Sequence, residues 1–419
     1  MQGGDYQDEM LRFVEAALDE IGPRESCSEN ERELGRRLAR CWQELGCEVL
    51  TERFSCHPKA FLGFIPFSVL LYLAATIFYW VWPPACVILA VLALVPMVFE
   101  VIRYRELVDP LFPSAEGENV VGIIRPRGPV RRRVVISAHQ DSAYEVNLWF
   151  FLRNAAIPIM VLGFLALFVP LLGGFARSLA SDPDAYVFTV IGYVCMGLYP
   201  IVGLNLFFHS YSTVPGAMDD LTGVSVLVGV AWALSEARAA GGDLEHTEVR
   251  LLAASSEEAG LRGSKRYVTA HRHELGDVPT YGLFVDGVCD ERDLGVFRRE
   301  LFTGAEHDPR LVRLAAEIAA ERGWPFAVHT LALGATDATP FSLAGVPSVS
   351  MHCQDVTRLV PNYHTRRDTL ENVRPASVGV MLEMVLEMAR RIDADRLPQL
   401  APTGAPESVP PNRDSNLAA

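Results

Sequence analysis

Five short runs hold the side chains that could do chemistry. In Ser137-Ala138-His139-Gln140-Asp141, after an apolar stretch, residues two apart share one face of an extended chain. Asp141 can then accept the far ring N–H of His139 and fix its tautomer for a metal. Pro215-Gly216-Ala217-Met218-Asp219-Asp220 leads into an apolar helix, whose free amides and dipole stabilise a carboxylate. Ser256-Glu257-Glu258-Ala259-Gly260 puts two glutamates on a turn, where one can bind a metal and the other reach the metal's water. Phe284-Val285-Asp286-Gly287 ends an apolar strand on an acid, and Asn362-Tyr363-His364-Thr365, with Asp368 beyond it, adds a second imidazole. Singly, each has an ordinary use: a structural His-x-Asp pair, a helix cap, a solvated acidic loop. Together, His139, Asp219, Glu258, Asp286 and His364 form a nitrogen and oxygen set without thiolate, which suits two Zn²⁺ ions sharing a carboxylate. Two ions about 3.5–4 Å apart can activate a bridging water.

The elements that must position these runs alternate. Apolar stretches at 120–124, 134–137, 248–254, 281–285 and 347–351 predict strands, and 8–21, 29–46, 222–239, 309–322 and 376–392 predict helices. Asp308-Pro309 supplies an N-cap and a first-turn proline, and Gly323 a stop. This order implies an α/β fold, a doubly wound and mainly parallel sheet covered on both faces. Such sheets carry their sites beyond the carboxyl ends of the strands.

Two blocks interrupt the pattern. Residues 60–99 contain no charge and are broken by Pro83-Pro84; residues 154–176 and 185–208 are also uncharged. Each run approaches the roughly 20 residues that cross a bilayer as a helix. None shows the polar stripe of a core-facing surface helix. Two inserted transmembrane hairpins follow, at 60–104 and 149–209. The soluble parts are then N-terminal helices at 1–58, a first portion at 105–148, a second at 210–396, and a disordered Pro- and Ser-rich tail at 397–419. Lys59, Arg103, Arg105 and Arg153 flank the hairpins on the domain side and only Arg177 lies in a far loop. The positive-inside rule therefore places a multi-pass cell-membrane protein with its main domain in the cytoplasm. The second hairpin enters and leaves between His139 and Asp219, so the cleft should face the bilayer surface and receive membrane-associated peptides.

Composition removes other classes. Asp and Glu number 51 against 37 Lys and Arg, a net charge of −14, which argues against nucleic-acid binding. Eight cysteines with no CxxC pair read as reduced thiols. The N-terminal MQGGDYQDEM is acidic and lacks the apolar core of a signal peptide.

In order and wording, HxD, GAxDD-x-x-G, SxEExGLxGS, the strand-terminal Asp and YHT resemble the co-catalytic zinc exopeptidases, the group of bacterial leucine aminopeptidases, aminopeptidase Y and glutamate carboxypeptidase. The resemblance covers 115–395 well, apart from the second hairpin, and 8–58 loosely. It implies a zinc-dependent aminopeptidase with two Zn²⁺ ions and a peptide substrate. Asp219 would bridge the ions, with Glu258 and His364 completing the ligands; His139 and Asp286 would share one ion or serve one each. Glu257 would be the general base, Tyr363 would face the developing oxyanion, and Asp141 would support His139. In Gly334-Ala335-Thr336-Asp337-Ala338, Ala338 replaces the His usual in the family's Ser-Asp-His stretch. Two alternatives differ in class: a single-zinc cyclotransferase like glutaminyl cyclase, and a non-catalytic binding module on the same fold.

Overall fold

In a computed structural model, residues 6–242, 244–357, 360 and 362–399 are described. Beyond 399, the expected tail lies outside the described residues. Among these residues nine strands form one sheet: β1 (Glu48–Cys56), β2 (Ala115–Ile124), β3 (Arg132–His139), β4 (Thr247–Ala254), β5 (Thr280–Val288), β6 (Leu294–Glu300), β7 (Ala305–Glu306), β8 (Ala327–Leu331) and β9 (Ser348–Cys353). Their spatial order is β1-β2-β4-β3-β5-β9-β6-β7, with β8 beside β6. The four central strands β4, β3, β5 and β9 run parallel. Both flanks add antiparallel pairs, so the sheet is mixed around a parallel centre.

The centre is parallel because helices cover both of its faces. Val134, Ile136, Leu251 and Leu283 pack under helices Gln7–Glu20, Glu29–Glu44, Thr222–Ala239, Pro309–Arg322 and Pro375–Asp393. Val135, Leu252 and Phe284 pack on the opposite face, against Tyr267 and Phe341. Strands buried on both sides read as unbroken apolar runs, which is why these were visible in the sequence. The helix Pro309–Arg322 starts and stops as its residues dictate: Asp308 accepts from the amides of Arg310 and Leu311, and Gly323 takes φ +68°.

Five helices are long and apolar enough to cross a membrane. In four of them, Ala60–Val81, Pro83–Ile102, Asn147–Leu179 and Tyr186–Phe207, only 39, 33, 28 and 17% of the most apolar stretch is buried. The fifth, Ala217–Ala239, is 94% buried and packs inside the α/β domain. The four exposed helices pack on one another. Tyr72 and Tyr79 of the first hairpin donate to the carbonyls of Cys195 and Phe188 of the second at 2.8 and 2.9 Å. A Cβ on Gly192 would stand 2.2 Å from the Trp80 ring, so a small residue is needed where these helices meet.

The first hairpin is bolted to the domain by a buried charge pair. Arg262, 1% exposed, grips Asp109 through two bonds of 2.9 and 2.8 Å and lies 2.9 Å from Glu106. A second knot closes the sheet. Glu248 on β4 is 1% exposed and accepts from Arg133 at 2.7 Å and Arg250 at 2.9 Å. Burial pushes its carboxyl up, but the two guanidinia win and hold it below the usual range. Its ionised form is thus favoured by folding, and the stability it adds above the ordinary carboxylate pKa is lost as pH falls through its lower folded value. Glu248→Gln should lower the thermal midpoint and cost about 3 kcal/mol by stranding two buried guanidinia. The midpoint of the variant should also depend less on pH across the acid range; equal acid sensitivity in both proteins would contradict this assignment.

Candidate metal centre

The parallel strands deliver their loops to one edge. His139 is the last residue of β3, Glu257 and Glu258 follow β4, Asp286 stands near the end of β5, and His364 lies in the segment after β9. Asp219 sits just before the helix Thr222–Ala239, and the Asp219–Asp220 peptide bond is cis. Asp219 divides its carboxylate. Oδ1 is 2.9 Å from Nε2 of His139, and Oδ2 is 3.0 Å from Nε2 of His364. The same His364 nitrogen is 3.1 Å from Oε1 of Glu258. His139, Asp219 and Glu258 each offer a ligand atom within 4.8 Å of the others. Asp286, half-buried near the end of β5, makes no hydrogen bond or ion pair with these residues or with His364, but lies within the electrostatic reach of Asp219, His139 and Glu258.

Residues that hold no ligand atom fix these positions. The His139 ring turns Nδ1 to the Asp141 carbonyl oxygen at 3.2 Å, with the Asp141 carboxylate at 3.4 Å. That carboxylate is mostly used elsewhere. It accepts from the Ser26 hydroxyl at 2.6 Å and from the amides of Glu257 and Glu258 at 3.0 and 3.1 Å. One aspartate therefore anchors both the His139 strand end and the Glu-Glu turn. Glu31 accepts from the Ser256 amide at 2.9 Å, and Asn119 from the Ser255 amide at 3.0 Å. Asp368 receives the amides of Met218 and Asp219 at 2.8 and 3.1 Å. Arg24, fully buried, donates to the carbonyls of Gln140, Pro215 and Gly216 at 2.9 Å each and so ties the His139 loop to the Asp219 loop.

The sequence carries no local signal for Ser26, Arg24 or Glu31, because their partners lie more than a hundred residues away. The exit of the first hairpin was also not foreseen. Tyr104 lies within the electrostatic reach of Glu257 and Glu258. Its ring packs on Phe61 at 5.3 Å, and Phe61 covers Gly260, where a Cβ would lie 2.9 Å from its ring. Tyr363 stacks on its neighbour His364 with ring centroids 4.0 Å apart. Asp337, in the stretch where Ala338 replaces a histidine, is buried with neither oxygen in a hydrogen bond.

Crowded, buried acids raise one another. Burial pushes Glu257 and Glu258 up, and it pushes Asp286 and Asp337 up to about 7 and about 6. Asp219 alone goes down: burial opposes its charge, but the flanking His139 and His364 outweigh it. Burial likewise opposes the charge of His364, yet Glu258 and Asp219 bring it up to about 10. Such a group of carboxylates calls for added positive charge. Oε1 of Glu258 is buried without a hydrogen bond, even though His364 is near. An unspent acceptor among oxygen and imidazole donors at this spacing fits a zinc ion, whose tetrahedral ligand atoms stand about 3.3 Å apart.

Known proteins share part of this sequence and much of this fold. Residues 206–389 match the sequence profile of Peptidase family M28. In fold, the chain is similar to a zinc aminopeptidase from Bacillus subtilis, with 16% identity, 92% of this chain and 94% of that one covered, and a TM-score of 0.55. It is similar to an aminopeptidase from Aneurinibacillus sp. strain AM-1 at 13% identity, covering 92 and 93%, with a TM-score of 0.55. A glutaminyl cyclase from Bacteroides thetaiotaomicron aligns at 13% identity, covering 92 and 97%, with a TM-score of 0.52. No curated protein matches the chain in sequence. The resemblance read from the motifs thus holds for the fold. The anchoring role of Asp141 is testable: Asp141→Asn turns a side-chain N–H toward one of the Glu257 and Glu258 amides, since each bonds a different oxygen. Zinc affinity, measured by chelator competition, should fall about 10–100-fold. Unchanged affinity would show that Asp141 does not support the centre.

Proposed function

Proceeding from a relative of the co-catalytic zinc exopeptidases that matches Peptidase family M28 over residues 206–389, we propose that this protein is a membrane-anchored zinc exopeptidase of the aminopeptidase type. The division of Asp219 between two imidazoles carries the reading. A carboxylate with one oxygen beside His139 and the other beside His364 and Glu258 is disposed to bridge two zinc ions. His139 and Asp286 would then serve one ion, and Glu258 and His364 the other. When bound, the metal lowers the pKa of a water and polarises the substrate carbonyl.

The protein's own groups do the rest. Glu257 is fixed through its amide by Asp141, and burial raises its proton affinity. It takes the proton of the attacking water and passes it to the departing amine. Tyr363, locked by its stack on His364, supplies a phenol for the developing oxyanion. The hairpins span a bilayer, and their exposed Ile77, Val81, Leu172 and Leu179 form the lipid-facing surface. Lys59, Arg103, Arg105 and Arg153 flank the hairpins at the domain side, which supports catalysis on the cytoplasmic side, on peptides held at the membrane.

The glutaminyl cyclase match supports a second reading, a single-zinc cyclotransferase. Zinc analysis separates the two: two ions per chain support the peptidase and one supports the cyclase. Glu257→Gln should retain zinc and lose about 10³-fold in kcat on aminoacyl-amide substrates. A wild-type chain that holds zinc yet cleaves no peptide would favour a binding module. For sidedness, Ser181→Cys in the far loop of the second hairpin should be labelled by an impermeant maleimide from outside intact cells. Labelling only after lysis would reverse the orientation.

A further inference from the structure

The second hairpin enters the domain at the His364 segment itself. Its first helix, Asn147–Leu152, lays the Trp149 indole over that segment. The indole stacks on Tyr363 with centroids 5.3 Å apart and planes 25° apart, and lies 5.4 Å from the His364 ring at 34°. Polar contacts clamp the same two segments together. The Val146 amide donates to the His364 carbonyl at 2.9 Å. Glu145 receives two bonds from the Arg366 guanidinium, at 2.8 and 2.6 Å. The guanidinia of Arg366 and Arg367 lie 4.6 and 4.7 Å from the Phe150 ring.

His364 needs such a clamp. It belongs to no strand or helix, and its φ of +51° lies in the left-handed region that a non-glycine residue keeps only when its surroundings hold it. His139, by contrast, ends a central strand, and its ring is held by Asp141. The Trp149 Nε1 is buried without a hydrogen-bond partner, so the indole is retained there for its ring face and not for its donor.

We propose that Trp149 is a positioning residue of the metal centre. Its ring face sets the plane of the His364 imidazole so that Nε2 meets Asp219 and Glu258, which makes the root of the second hairpin part of the metal site. This rests on the reading of His364 as a ligand. The test is zinc affinity by chelator competition on the full chain in detergent, with visible absorption of the Co²⁺-loaded chain reporting ligand geometry. Trp149→Ala should weaken zinc about 10–100-fold and shift the Co²⁺ bands, as loss of a supporting contact does. Trp149→Phe, which keeps an aromatic face, should stay within about 3-fold of wild type. Trp149→Leu, which keeps bulk without a π-face and guards against a collapsed alanine variant, should behave like Trp149→Ala. Wild-type affinity and spectrum in a folded Trp149→Ala or Trp149→Leu chain overturn the proposal, as does a Trp149→Phe chain as weak as Trp149→Ala. If wild type binds zinc and His364→Ala abolishes it while Trp149→Ala leaves it intact, only this inference fails. If wild type binds no zinc, the metal reading itself fails.

Discussion

Carboxylates repel one another, and they repel most where water is excluded. Asp141, Asp219, Asp220, Glu257, Glu258, Asp286 and Asp337 nevertheless share one cleft edge, and the first three are at most 3% exposed. The surrounding structure answers this constraint. Asp141 and Asp368 spend their charge on backbone amides, Asp220 takes the amides of His139 and Gly223, and Arg24 brings a buried cation to the loops. What is left over, at Glu258, Asp286 and Asp337, is the acid that no protein group neutralises fully. A divalent cation relieves that excess, so the repulsion and the affinity for metal have one origin.

The hairpins sit where this arrangement is most sensitive. One leaves the domain beside the Glu-Glu turn and is pinned through Arg262 to the helix that follows it. The other leaves between His139 and Asp219, and its first turn touches Tyr363 and His364 through Trp149. Loop insertions elsewhere on an α/β domain are tolerated because they contact little. These reach the candidate metal centre, through Phe61 over Gly260 and Trp149 over His364, so the hairpins and the centre form one packed unit.

Much of this was legible in the sequence, for definite reasons. The central strands are continuous apolar runs because both faces are covered, and the helix Pro309–Arg322 carries its own start and stop signals. The metal-site candidates stood out because each lies in a short run with its own turn chemistry, and the structure brings His139, Asp219, Glu258 and His364 together. Of the flanking strands, β2 shows as the apolar run 120–124, whereas β1, β6, β7 and β8 carry no such signal. β1 (Glu48–Cys56) pairs on one side only and is largely exposed, so it lacks a clear apolar period. β6 (Leu294–Glu300) ends in two exposed arginines, and β8 (Ala327–Leu331) is only half-buried. Ser26, Arg24, Glu31 and Trp149 act through partners distant in the chain, and no window of sequence contains such a pairing.

The helix Ala217–Ala239 has a further bearing on how the protein is made. By length and composition it too could cross a bilayer, although it is the least apolar of the five, and its place is inside the folded domain. On the proposed membrane reading, a nascent chain presents the insertion machinery with five apolar segments, of which four are to enter the bilayer. The pair Asp219-Asp220 stands at the leading end of the fifth, and ionised side chains are costly to bring into a bilayer. On that reading, the acids of the candidate metal centre also give the translocon a reason to let this segment go.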